Sequence, residues 1–285
     1  MHKGTVRRLC AAASLIVGAL GVSGGMASPV QAAVPSSWAD AATAPIHPGV
    51  MMFTEGAQCT ANFIFTDASS VYIGYAAHCA GTGAATETNG CDSGSLPINT
   101  PVQIDGATRP GHLAYSSWIT MQGNNESDAN ACQYNDFALV RLDPADFARV
   151  NPSVPHWGGP NGINTTGNPT LSSIYSYGNS SLRLGITLLS PKTGVSLGTS
   201  GGGWTHPVYT VTPGIPGDSG SAMLDAQGRA SGVLSTVSIA PTPASNNFGD
   251  LSRELTYAQN QGNMNVSLAL GTVPFNGSEL PLGIG

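Results

Sequence analysis

The sequence predicts an all-β architecture, a sandwich or a barrel, on three observations. Apolar runs are short and rich in β-branched and aromatic residues. Turn residues recur between them, and helical periodicity is confined to one late stretch. Strands are expected over 62–66, 71–76, 137–141, 173–177, 182–189, 208–211, 221–224 and 230–235. With 37 glycines and 20 prolines in 285 residues, turn chemistry is abundant enough to bound each of them. The helix is expected over 250–261, where Asp250 can cap the first turn, Leu251, Leu255 and Ala258 share a face, and Gly262 can end it. Many short strands with one late helix suit closed or stacked antiparallel sheets. The Gly, Asn and Pro-rich stretch 158–169 is the best candidate for a connection between two lobes, 45–157 and 170–285.

The first residues predict export. Lys3, Arg7 and Arg8 make a positive start, Leu9 to Val22 is apolar, and Gly24, Gly25 and Pro29 end the run. Val30-Gln31-Ala32 then offers small side chains at the positions that signal cleavage requires. The apolar run is short for a membrane span. Residues 1–32 therefore read as a secretory signal, and 33–44 as a short pro-segment or flexible start. Removing 32 of the 285 residues leaves 253, with seven Lys and Arg against sixteen Asp and Glu, a net charge of −9. That chain is long enough for a sizeable core. No basic stripe suggests nucleic acid or anionic lipid. A monomer free of the membrane after signal removal is expected in the extracellular space.

Five cysteines become four once Cys10 leaves with the signal: Cys59, Cys79, Cys91 and Cys132. An even set in an oxidising compartment reads as two disulfides with three possible pairings. No C-x-x-C pair is present, and His47, His112, His156 and His206 show no metal spacing, so they read as surface or loop residues. No metal and no cofactor is expected.

Three segments carry chemistry. Gly217-Asp218-Ser219-Gly220-Ser221 surrounds a serine with glycines. A hydroxyl is a weak nucleophile that needs a base, and the oxyanion it creates needs donors that a tight glycine turn can aim. Tyr75-Ala76-Ala77-His78-Cys79 puts a histidine at the end of an apolar strand beside a cysteine that can pin its loop. Asn135-Asp136-Phe137-Ala138-Leu139-Val140-Arg141-Leu142 opens an apolar strand with an aspartate, where a carboxylate can be buried yet face a histidine. Each alone is common: a turn, a structural histidine, a strand start. Their order along the chain, His, Asp, Ser, discriminates among the folds that host this constellation. An α/β-hydrolase needs its histidine after the serine, but the last histidine is His206. A subtilisin-like order needs Asp before His, in a fold with many helices.

Together the segments resemble the signatures of the chymotrypsin-like serine peptidase family, here of a bacterial, exported kind. The resemblance implies two antiparallel β-barrels packed together, with the active site in the cleft between them. It implies that Ser219 attacks the scissile carbonyl of a polypeptide, that His78 shuttles the proton, and that Asp136 holds the imidazole. The amides of Gly217 and Ser219 would form the oxyanion hole, each donor being worth about 3–4 kcal/mol of transition-state stabilisation. It also implies a Cys59–Cys79 bridge closing the histidine loop, worth roughly 3 kcal/mol by chain entropy, and a Cys91–Cys132 bridge.

Specificity and activation depart from the family pattern. The residue six before the nucleophile, expected at the base of the primary pocket, is Pro213, and no acid stands near it. Trypsin-like cleavage is therefore disfavoured. Ser235, Thr236 and Val237 match the strand that pairs with substrate, and Val237 stands where an open pocket has glycine. No extra histidine on that strand suits a glutamate pocket. Small or uncharged P1 side chains are expected. No Ile-Val-Gly-Gly-like amino terminus precedes Val50, so Asp218 should pair internally, with Arg183 as a candidate. Two other readings use the same residues: a catalytically silent binding module, and an esterase.

Overall fold

The computed structural model describes Met1 and residues 34–83, 87–237 and 245–279. The expected signal segment beyond Met1 and its cleavage site lie outside the described residues. All the elements below belong to the unit Ala32–Gly285.

Seven strands come first: β1 (Met51–Thr54), β2 (Ala57–Thr60), β3 (Ile64–Thr66), β4 (Val71–Tyr75), β5 (Pro101–Ile104), β6 (Gly111–Ser116) and β7 (Ala138–Arg141). Two short helices, α1 (Ser117–Gly123) and α2 (Ala129–Tyr134), lie between β6 and β7. Then follow β8 (Ser173–Tyr177), β9 (Pro191–Ser196), β10 (Thr205–Thr210), β11 (Ala222–Leu224), β12 (Ala230–Val237) and β13 (Asn246–Asp250), helix α3 (Leu251–Gln261) and β14 (Ser267–Leu268). The first sheet is curled, in the order β14-β3-β4-β7-β6-β5-β1-β2, and the second closes as β10-β13-β12-β11-β8-β9. The all-β, two-barrel expectation holds, with the first barrel an open curled sheet. β14 pairs with β3, Leu268 opposite Phe65, so the chain beyond α3 returns to the first sheet.

Side-chain pattern explains the layering. Every residue of β4 is buried, and it runs between β3 and β7 at the centre of the first sheet. β5, by contrast, alternates exposed and buried residues, as a strand with one wet face must. Phe65 meets Phe137 edge-on at 5.5 Å between ring centroids, Tyr115 lies against Phe137 at 6.2 Å, and both phenylalanines are fully buried, as are Phe63 and Tyr75. Truncating such a ring to alanine costs about 3–5 kcal/mol.

α3 ends where the sequence indicates. The Asp250 side chain accepts from the Arg253 N–H, Leu251, Leu255 and Ala258 are buried, and Gly262 closes the helix. α1 and α2 are additions to the predicted single helix. α2 is capped by Asp128, whose carboxylate accepts from the N–H groups of Asn130 and Ala131. It is too short to show a helical period in sequence.

The strand expected over 182–189 is absent. Two single-turn 3-10 segments, Ser181–Arg183 and Thr187–Leu189, occupy the stretch. Leu182, Leu184, Ile186 and Leu188 imitate a half-buried strand by alternation, yet each is more than half exposed. Leu184 and Gly185 have positive φ, which breaks an extended run, and Arg183 turns inward instead.

Candidate active site

Three strand ends deliver the candidate residues. β4 runs into a 3-10 turn, Ala77–Ala80, that carries His78, while Asp136 immediately precedes Phe137 and β7. Ser219 stands on the turn before β11. The Cys59–Cys79 disulfide ties the histidine turn to β2, and Cys91–Cys132 ties the preceding loop to α2, so both implied pairings are present. Among the described residues, Cys59, His78 and Cys79 form the one close group of metal-ligand types, and its two sulfurs are bonded to each other.

Asp136 is buried and its carboxylate is fully used. Oδ2 accepts from His78 Nδ1 at 2.6 Å and from Ser235 Oγ at 2.6 Å, and Oδ1 accepts from the His78 N–H at 2.8 Å. A carboxylate can only accept, so the proton sits on Nδ1 and leaves Nε2 as the acceptor in the neutral ring. Burial alone would push the His78 pKa down. The charge and hydrogen bond of Asp136 outweigh it and hold the imidazole above its ordinary value. Burial would likewise raise Asp136. The His78 charge, its hydrogen bond and the Ser235 hydroxyl overcome that and keep the carboxyl below the usual range.

The serine turn is shaped by two glycines. Gly217 and Gly220 adopt φ of +94° and +89°. A Cβ on Gly220 would lie 2.5 Å from the Thr60 carbonyl oxygen and 2.9 Å from the Ala76 nitrogen, so no side chain fits there. Carbonyls of the turn face β2: Thr60 N–H donates to the Ser219 oxygen at 2.8 Å, and Thr60 Oγ1 and Gln58 Nε2 donate to the Gly217 oxygen at 2.8 and 3.0 Å. Among the described residues, the N–H groups of Gly217 and Ser219 have no acceptor in the chain. Both residues line one cleft of about 760 Å³ together with His78. Ser219 Oγ makes no hydrogen bond to His78 Nε2 in this resting geometry. Such bonds commonly tighten only when substrate binds.

Asp218 points away from the cleft into the second barrel. It is fully buried, and its Oδ2 accepts from Arg183 Nη2 at 2.6 Å and from the Ile215 N–H at 3.0 Å. Oδ1 accepts from the Ser180 N–H at 3.0 Å. Lys192 Nζ lies 3.2 Å from Oδ2, itself buried on β9. Burial pushes the Lys192 ammonium down, Asp218 opposes that, and the Arg183 charge adds to it. Arg183 is thus the partner the sequence suggests, and Lys192 is one it does not. A signal was available: apart from Lys3, Lys192 is the only lysine in the chain.

The expected substrate-binding residues fare unequally. Ser235 and Thr236 line the cleft; Pro213 is exposed and does not, because Ile215 and Pro216 stand there and its carbonyl turns toward Arg183 at 3.4 Å. The side chain of Val237 lies outside what is described. Leu234, Asn247 and Gly249 add to the wall unforeseen. His206, read as a surface residue, is fully buried, with Nε2 2.9 Å from Asp250 Oδ2 and Nδ1 3.1 Å from Thr199 Oγ1. Glu254 was also missed: it is fully buried on α3, and its Oε1 accepts from the Asp136 N–H at 3.1 Å.

No family model matches the chain, and no curated protein matches it. Among solved structures, Thermobifida fusca Protease A aligns with a TM-score of 0.50 at 16% identity, over 79% of this chain and 99% of that one. A Glu endopeptidase in complex with MPD gives 0.49 at 16% identity, over 80% and 100%. Nocardiopsis protease gives 0.47 at 18%, over 78% and 98%. The first likeness shows that the chain has a chymotrypsin-like fold.

Proposed function

We propose that the chain is a secreted serine endopeptidase that works through an acyl-enzyme. The observation that carries this reading is the 2.6 Å hydrogen bond from His78 Nδ1 to Asp136, with Nε2 left as an acceptor in the same cleft as Ser219. The Ser219 hydroxyl attacks the scissile carbonyl while His78 Nε2 takes its proton. Asp136 remains ionised and stabilises the imidazolium that results. The oxyanion enters the space faced by the free N–H groups of Gly217 and Ser219. His78 then returns the proton to the departing amine, and water repeats the sequence to free the acid and restore Ser219. The fold shared with Thermobifida fusca Protease A supports the reading, since that relative is a protease by name.

A polypeptide with a small or uncharged P1 side chain suits the cleft. Its lining residues Ile215, Pro216, Leu234, Thr236 and Asn247 are uncharged, and the one carboxylate described on the lining, Glu87, is exposed to solvent. Two disulfides fit an oxidising, extracellular setting. Among the described residues no helix is long and apolar enough to cross a membrane. The Arg183 and Lys192 contacts hold Asp218 from within the chain, so its anchorage needs no freed amino terminus.

The test is a peptide library exposed to the wild type and to Ser219→Ala, with mass-spectrometric readout of the cut sites. Cleavage after Ala, Ser, Thr or Val by the wild type alone supports the whole reading. Cleavage after Lys, Arg or Glu rejects the pocket assignment. Turnover of simple esters with no peptide cut turns the assignment to an esterase, and no turnover of either turns it to a binding module.

A further inference from the structure

A fully buried glutamate is uncommon in a protein interior and is found there when it is paired or neutral. Glu254 is fully buried in the first turns of α3, and among the described residues no Lys, Arg or His forms an ion pair with it. From β7 and the residues before it comes Asp136, whose charge is spent on His78 and Ser235. From the α3 cap comes Asp250, spent on His206 of β10 and on the Arg253 N–H. The Arg253 guanidinium sits 5.8 Å from the Trp204 ring centroid, over that ring. The remaining titratable neighbour is the Tyr115 hydroxyl, since that of Tyr257 donates to Glu126. Among the described residues, two carboxylates therefore face Glu254 and no free cation does.

The chain makes room for this carboxyl. A Cβ on Gly249 would stand 2.2 Å from Glu254 Oε1, so β13 has glycine where the acid reaches through. Oε1 then accepts the Asp136 N–H at 3.1 Å, the one backbone donor that fixes where the Asp136 side chain begins.

We propose that Glu254 is a positioning residue for Asp136, holding its main chain as a neutral carboxylic acid. The inference rests on the triad reading above. Burial first, and then the charges of Asp136 and Asp250, push the Glu254 carboxyl well above the usual range, against the opposing pull of the Asp136 N–H. Neutrality matters because an ionised Glu254 would add a second negative charge beneath the His78–Asp136 pair. That charge would raise the basicity of His78 and oppose the ionisation of Asp136.

The test compares Glu254→Gln and Glu254→Leu with the wild type, by kcat, KM and NMR titration of the His78 Nδ1 proton. Gln keeps the acceptor and the neutral state, so kcat, KM and the His78 midpoint should all match the wild type. Leu removes the acceptor and should lower kcat about threefold to tenfold, the worth of one hydrogen bond, with KM within about twofold. A lower His78 midpoint in Glu254→Gln would mean that a negative charge was removed, and would overturn the neutral acid. Wild-type kcat in Glu254→Leu would overturn the positioning role. If Leu does not fold, a wild-type midpoint and kcat in Gln against reduced kcat in Glu254→Ala supports the proposal, and unchanged kcat in Ala rejects it. A wild type silent on every peptide defeats the protease reading instead, while the His78 midpoint still decides the charge of Glu254.

Discussion

Arg183 Nη2 lies 2.6 Å from Asp218 Oδ2, so an arginine on an otherwise exposed apolar loop is anchored directly behind the candidate nucleophile. The contact fixes the residue between Gly217 and Ser219, and with it the direction of the two free amides. Removing one partner of a buried ion pair costs about 3–5 kcal/mol because the other charge is left stranded. Lys192 remains on the same oxygen, so Arg183→Met should fall at the low end of that range. Lys192→Met should cost less, because burial already disfavours the ammonium. Denaturant unfolding of both variants, read beside the rate of serine labelling, checks the ranking.

Ser235→Ala removes one of the two side-chain donors to Asp136 Oδ2. The carboxylate loses a charge-assisted hydrogen bond and leans more on the imidazole. We expect kcat to fall about tenfold with KM little changed, and the His78 midpoint to rise. Steady-state kinetics across pH measures both. An unchanged acid limb would show that Ser235 does not support Asp136.

The proposed mechanism requires neutral His78, whose pKa is raised in the folded protein. The acid limb of kcat/KM should therefore lie above the ordinary histidine value of 6.5. The stability contribution of the pair runs oppositely for its two members. His78, raised, stabilises fully below its unfolded value and loses that contribution as pH rises through its folded pKa. Asp136, lowered, stabilises above 3.8 and loses that contribution as pH falls through its folded pKa. Unfolding midpoints of wild type and Asp136→Asn across this window should converge at its acid end.

The two disulfides should separate stability from function. Sequence separations of 20 and 41 predict losses of about 3 and about 4 kcal/mol on removal. Cys59→Ala with Cys79→Ala should also reduce activity, since that bridge moors the turn bearing His78. Cys91→Ala with Cys132→Ala should cost stability with the smaller effect on turnover. Thermal melts paired with initial rates distinguish the two variants.

Much of this was legible in sequence because short-range chemistry fixes it. The His78, Asp136 and Ser219 segments each mark a strand end, and strand ends meet at the cleft. Asp250 and Gly262 announce both ends of α3 through capping. What stayed hidden depends on long-range packing. The alternation of Leu182, Leu184, Ile186 and Leu188 reads as a strand, but Arg183 is drawn to Asp218 and no neighbouring strand pairs with the stretch. Pro213 stands six residues before Ser219, but the loop turns before that residue reaches the cleft. Lys192 and Glu254 sit in polar runs that carry no local sign of burial. Their partners, Asp218 and Asp136, lie 26 and 118 residues away.

The most direct test of the central claim is intact-mass analysis of the purified protein before and after a serine-directed fluorophosphonate. We predict one adduct on the wild type and none on Ser219→Ala, which would establish Ser219 as an activated nucleophile. A folded wild type that takes up no adduct, or a Ser219→Ala variant that still does, would contradict the assignment.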